Sequence, residues 1–136
     1  MPSFLKSFKA AHLNTGESGE DVAEAYLKKK GMRVLCRNWR KRQLEIDIIC
    51  QHKDTIVFVE VKTRKSAKRG SPVEAVGLSK QKKLIRAASF FLSDEGAWDA
   101  PCRFDVVGVV LLPDGKVDVT HIADAFQAGT AGWQPW

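Results

Sequence analysis

Long apolar runs are missing from this chain: nothing approaches the roughly 20 consecutive residues that a membrane-crossing helix needs. Cysteine is scarce. Cys36, Cys50 and Cys102 are odd in number and widely spaced, which fits neither a disulfide framework nor a zinc ligand set. Reduced thiols in a cytoplasmic protein are the expectation. His12, His52 and His121 are equally scattered and are expected to be ordinary surface histidines. The opening MPSFLKSFKAAHLNTG has two lysines but no continuous apolar stretch, so no signal peptide is read there. No repeat or low-complexity block interrupts the sequence. Its 136 residues suffice for one domain with a real core.

Charge of one sign is missing locally. Residues 28–42 hold eight bases and no acid: Lys28, Lys29, Lys30, Arg33, Arg37, Arg40, Lys41 and Arg42. After residue 86 the balance reverses, with 2 Lys/Arg against 7 Asp/Glu, whereas residues 1–86 carry 20 against 9. Further basic clusters lie at Lys62, Arg64, Lys65, Lys68 and Arg69, and at Lys80, Lys82, Lys83 and Arg86. A charge run is usually a solvated face, and plain solubility or weak attraction to acidic surfaces would account for one. Three runs flanking one pair of acidic strands favour a polyanion, because neutralising phosphates releases counterions.

The hydrophobic pattern gives the order αβββαββ, an α/β domain around a mixed sheet flanked by helices. A helix starts near Ser18, buries Val22, Ala23, Tyr26 and Leu27, and ends at Gly31. Strands are expected at 33–39, 44–51 and 55–63, with a basic turn at 40–43. A polar loop at 65–72 leads to a helix at 79–92, and a hairpin turned at Pro113-Asp114-Gly115 joins strands at 103–112 and 116–121. Residues 1–15 read as loosely ordered and 127–136 as an irregular tail, leaving 16–126 as the domain.

Acids stand on two strands where apolar residues are expected. A two-residue turn at Lys53-Asp54 pairs His52 with Thr55 and, counting back along both strands, Asp47 with Glu60. A four-residue loop keeps that register; a three-residue loop would send the acids to different faces. With the even loop, Glu45, Asp47, Glu60 and Lys62 share one face, and Ile46, Ile48, Val59 and Val61 the other. Opposed carboxylates repel. A Mg²⁺ or Mn²⁺ ion, hard and content with one or two carboxylates plus water, is the natural counterweight. The alternative is an exposed polar face bathed in water. Glu20 and Glu24, on one face of the first helix, are candidates for a further acid.

The residues Gly19-Glu20, Glu45-Ile46-Asp47, Val59-Glu60-Val61-Lys62-Thr63-Arg64, Gly70-Ser71-Pro72 and Arg103-Phe104-Asp105-Val106-Val107 together resemble the YraN family of small bacterial proteins. That family is grouped with the restriction-endonuclease-like PD-(D/E)XK superfamily and looks like Holliday-junction resolvases. The resemblance spans about residues 16–112, with Leu44 where the family usually has glycine. It implies a metal-dependent nuclease, with Asp47 and Glu60 as metal-binding acids and the Val61 carbonyl as a third ligand. Lys62 matches the catalytic lysine and Glu20 the acid of the first helix. Nucleic acid, DNA above all, is the implied partner, gripped by Arg37, Arg40, Lys41, Arg42, Arg64 and Lys80; a homodimer is plausible on the same ground. Two rival readings are a nucleic-acid-binding module without turnover and an interaction domain that docks through Trp133 and Trp136.

Overall fold

Residues 3–6, 18–65 and 76–128 are the parts described by the structure, a computed structural model. Ser18 starts helix α1 (Gly19–Lys29) with a reciprocal cap. Its hydroxyl accepts the Asp21 N–H at 3.2 Å, and its own N–H donates to the Asp21 carboxylate at 2.9 Å. Gly31, at φ 89, ends the helix in a conformation that favours glycine. Strands β2 (Arg33–Lys41), β3 (Leu44–His52) and β4 (Thr55–Arg64) follow as two hairpins. Each hairpin turns on two residues, and the first of each pair, Arg42 and Lys53, takes φ 58. Such left-handed turns match the twist of the paired strands.

Helix α2 (Leu78–Asp94) is the crossover to β5 (Cys102–Leu111), which runs parallel to β4; β6 (Val117–Phe126) returns antiparallel. A short strand β1 (Ser3–Lys6) adds to the far side of β6, giving the order β1-β6-β5-β4-β3-β2. From residue 18 onward the order is the expected αβββαββ. The mixed α/β arrangement is consistent with a nuclease-like fold. Alternation along β4 divides the core. Ile56 and Phe58 face α2, packing with Leu84, Ala88, Phe91 and Leu92, whereas Val57 and Val59 face α1, packing with Val22, Ala23, Tyr26 and Leu27. The helices therefore cover opposite faces of one sheet.

Several boundaries differ from the sequence expectation. Residues 3–6 are a paired edge strand, not a loose segment. The first long strand runs on to Lys41, which shrinks the basic turn to Arg42-Gln43, and β6 continues past His121 to Phe126. More consequential is a change of face within the β2–β3 hairpin. Ile48 packs on the α1 side, yet Ile46, two residues away, packs on the α2 side with Trp39. The reversal occurs at Asn38, φ 52, opposite Asp47. Asparagine tolerates the left-handed region better than most residues. Ile46 and Ile48 therefore do not share a face. Gly70, Ser71, Pro72, Lys68, Arg69, His12, Trp133 and Trp136 lie outside the described residues.

Candidate functional site

The β3–β4 ladder runs in the expected even-turn register from His52–Thr55 to Ile48–Val59 and stops there. At the next position, where the kink at Asn38 turns β3, Asp47 stands across from Glu60. Its Oδ2 accepts the Val61 N–H at 2.8 Å. A side chain thus satisfies a backbone donor that the diverging strand leaves behind. Glu60 is almost closed off, its side chain only 6% exposed, yet two cations reach its Oε2: Lys62 at 3.4 Å and Lys80 at 3.7 Å. Lys62 comes from the same strand and Lys80 from the first turn of α2. Sequence spacing brought Lys62 to this point; only the packing of α2 brings Lys80.

Burial, and next the negative charge of Glu60, push the Asp47 carboxyl up to about 6, against the hydrogen bond from Val61. Asp47, raised in this way, and the Glu60 carboxylate beside it are a fit partner for a divalent cation. Both offer hard oxygen, and Mg²⁺ or Mn²⁺ completes its shell with water. Asp47 and Glu60 would hold such an ion, with the Val61 carbonyl as the neighbouring backbone oxygen. Among the described residues no group of three or more His, Cys, Asp or Glu side chains is placed to hold a metal ion.

Glu20 is not the missing third acid. Its Oε1 lies 3.4 Å from Arg37, whose guanidinium also holds Asp21 at 2.7 Å and Glu24 at 2.9 Å. Arg37 therefore clamps α1 to β2 and is withdrawn from the expected phosphate-gripping set. Its partners, Asp21 foremost, hold its pKa above the usual arginine value. Three acids on one helix face were the available signal: they needed a cation. Glu45, expected opposite Lys62, lies beyond the face reversal and pairs with exposed Arg40 at 3.2 Å instead. Lys41 binds Asp94 at 2.9 Å, and Lys41 and Arg42 lie over the Phe90 ring at 5.0 and 5.6 Å. Arg64, half-buried, ends β4. Gly19 has a separate role. A Cβ there would overlap the Thr63 hydroxyl, so the glycine lets the start of α1 close on the end of β4.

A family model described as "Uncharacterised protein family UPF0102" matches residues 19–109, which includes every acid and base just placed. The chain belongs to UPF0102. Among its relatives, a UPF0102 protein of Nitratidesulfovibrio vulgaris is 47% identical over 128 residues, covering 90% of this chain and 95% of the relative. A protein of the same family from Lawsonia intracellularis is 38% identical, covering 89% and 96%. One from Rhodococcus jostii is 43% identical, covering 86% and 99%. The YraN resemblance and the family match therefore coincide.

The UPF0102 chain also has a fully buried aspartate, on the α1 face. Asp105 accepts the Asp124 N–H at 2.9 Å, Arg103 Nε at 3.0 Å, and lies 2.7 Å from His121 Nε2. His121 Nδ1 is in turn 3.2 Å from the Tyr26 hydroxyl. Burial works against the ionised carboxylate, but hydrogen bonds from His121, Asp124 and Arg103 outweigh it and hold Asp105 below the usual range. His121 is thus buried, not the surface histidine expected from sequence. Its alternation with buried Val117 and Val119 carried that information.

Proposed function

We propose that this protein is a metal-dependent endonuclease that hydrolyses phosphodiester bonds in nucleic acid, selecting structure rather than sequence. The observation that carries this reading is the pair Asp47 and Glu60, facing each other at the opening of the β3–β4 ladder with Lys62 and Lys80 on the same carboxylate. A Mg²⁺ or Mn²⁺ ion, when bound, would supply charge stabilisation and a more acidic water. The chain's own residues do the remainder. Asp47 and Glu60 orient the site, with Asp47 fixed by the Val61 N–H. Lys62 and Lys80, each about a third exposed, are placed to turn from Glu60 to a non-bridging phosphate oxygen as charge grows there. Exposed Arg40 and Arg42 would contact the backbone, which positions a strand without reading it.

The test is cleavage of branched and single-stranded DNA with Mg²⁺ or Mn²⁺ by wild type, Asp47→Ala and Lys62→Ala. Loss of cleavage in both variants is expected; equal residual cleavage in all three proteins would sink the assignment. A second reading, a nucleic-acid-binding module without turnover, is favoured by one feature: two ammonium groups already neutralise Glu60. That reading expects salt-sensitive binding with no metal dependence. Calorimetric titration with Mn²⁺ separates the two, since the nuclease reading requires binding that disappears in Asp47→Asn.

A further inference from the structure

Arg37, Arg40, Lys41, Lys28, Lys62 and Lys80 each have a carboxylate within 4 Å. Lys82, Lys83 and Arg86 have none among the described residues, and all three are exposed. With Arg42 they line one groove of about 530 Å³ between the Arg42-Gln43 turn and the outer side of α2, whose apolar lining is Leu44 and Phe90. No acid lines it. The walls are fixed by contacts away from the opening. Lys41 grips both oxygens of Asp94, at 3.0 and 2.9 Å, tying the hairpin to the end of α2, and Trp39 packs edge-on against Phe91.

We propose that this groove binds a single strand of nucleic acid flanking the phosphodiester presented to Asp47 and Glu60. The inference rests on the nuclease reading for what lies next to the groove, but not for the binding itself. Three features choose the occupant. Four cations with no carboxylate partner among the described residues, Arg42, Lys82, Lys83 and Arg86, fit the repeating charge of a phosphate backbone. Leu44 and Phe90, whose ring already lies against Lys41 and Arg42, add an apolar wall for an unpaired base. The volume is that of a small-ligand pocket, on the order of 300–1,000 Å³; that suits one or two nucleotides of one strand, not a duplex. Position supplies the link to chemistry. Lys80, on Glu60, and Arg86, in the groove, are six residues apart on one helix, about 9 Å at roughly 1.5 Å per residue. A strand seated in the groove thus reaches the carboxylate pair within a few nucleotides.

Binding of a fluorescently labelled 15-nucleotide oligothymidylate, measured by anisotropy in EDTA over a range of salt, tests the groove without any metal. Lys83→Glu/Arg86→Glu alters only exposed side chains, and its fold is checked by circular dichroism. The expected result is at least a tenfold loss of affinity with the salt slope reduced by about 1.4, the value for two lost phosphate contacts on a single strand. Lys53→Glu, at the other end of the β3–β4 hairpin, serves as a charge control and should change affinity less than threefold. Unchanged affinity and slope in the folded double variant, or an equal loss in Lys53→Glu, would overturn the proposal. Failure of the nuclease reading looks different: oligonucleotide binding lost in the double variant and kept in Asp47→Ala, with no metal-dependent cleavage by wild type, supports the groove and removes the hydrolytic role.

Discussion

Asp47 and Asp105 flank strand β4 at neighbouring levels, one on β3 and one on β5, and both occupy breaks in the ladder. Asp47 follows the face reversal at Asn38, and Asp105 lies at a bulge where β6 carries extra residues and Asp124 takes φ 53. Each carboxylate accepts a backbone N–H from a neighbouring strand, Val61 for Asp47 and Asp124 for Asp105. There the likeness ends. Asp105 is also met by Arg103 and His121 and is held below the ordinary carboxyl range, whereas Asp47 faces Glu60 and is pushed up to about 6. Burial alone thus says little about a carboxylate's task. A group whose lone pairs are filled by its own protein holds the structure; one crowded by a like charge is disfavoured in its ionised form.

The largest test of that contrast is Asp105→Ala. It strands Arg103 and His121 against a buried gap, and breaking a buried pair from one side costs about 3–5 kcal/mol. Urea unfolding at pH 7 measures it. Asp47→Asn should move the other way. The amide can still accept the Val61 N–H but carries no charge, so the metal-free protein gains about 3 kcal/mol at pH 8, at 1.36 kcal/mol per unit of pKa shift. At pH 4, where the native carboxyl is already protonated, the gain vanishes.

The pH dependence of the wild type follows the same opposition. The raised Asp47 lets stability fall as pH rises through about 6. The lowered Asp105 contributes fully above the ordinary value of 3.8 and loses its contribution as pH falls below it. Metal-free protein should therefore be most stable between those limits, and Mn²⁺ should restore stability only on the alkaline side. A flat profile from pH 4 to 8 would contradict the raised Asp47. A smaller effect concerns how tightly the Asp105 side is closed. Gly19→Ala presses a methyl group on the Thr63 hydroxyl, for a net loss of about 1–2 kcal/mol once the better helix propensity of alanine is counted. Thr63→Ala in the same protein should recover only part of it, because the Cβ that alanine keeps would still lie 2.9 Å from the new methyl group.

How much of this was legible in the sequence depends on the range of the interactions. The β3–β4 register was readable because a two-residue turn and a period of two fix every pairing that follows. The face reversal at Asn38 was not. Only the residue type hinted at it, and asparagine occupies many conformations. Arg37 read as one base in a basic run because its partners, Glu20, Asp21 and Glu24, lie on a helix that only tertiary packing brings near. Lys80 was legible as a cation but not as a partner of Glu60, for the same reason. The fold class came through because it depends on local periodicity; the site came through in part, because half of it lies within one hairpin.

The smallest effect asks how far the filled shell of Asp105 extends. His121 Nε2 faces the ionised carboxylate and so carries the proton there, which leaves Nδ1 to accept from the Tyr26 hydroxyl at 3.2 Å. Tyr26→Phe removes that donor without opening a cavity. The expected cost is about 0.5–1 kcal/mol, the net worth of one neutral hydrogen bond, in urea unfolding at pH 7. The ¹⁵N shifts of the His121 ring should keep the Nε2–H form, since Asp105 fixes it. If instead the variant shifted the ring toward the other tautomer, Tyr26 would be the residue that sets the histidine, and the contrast with Asp47 would rest on three side chains rather than two.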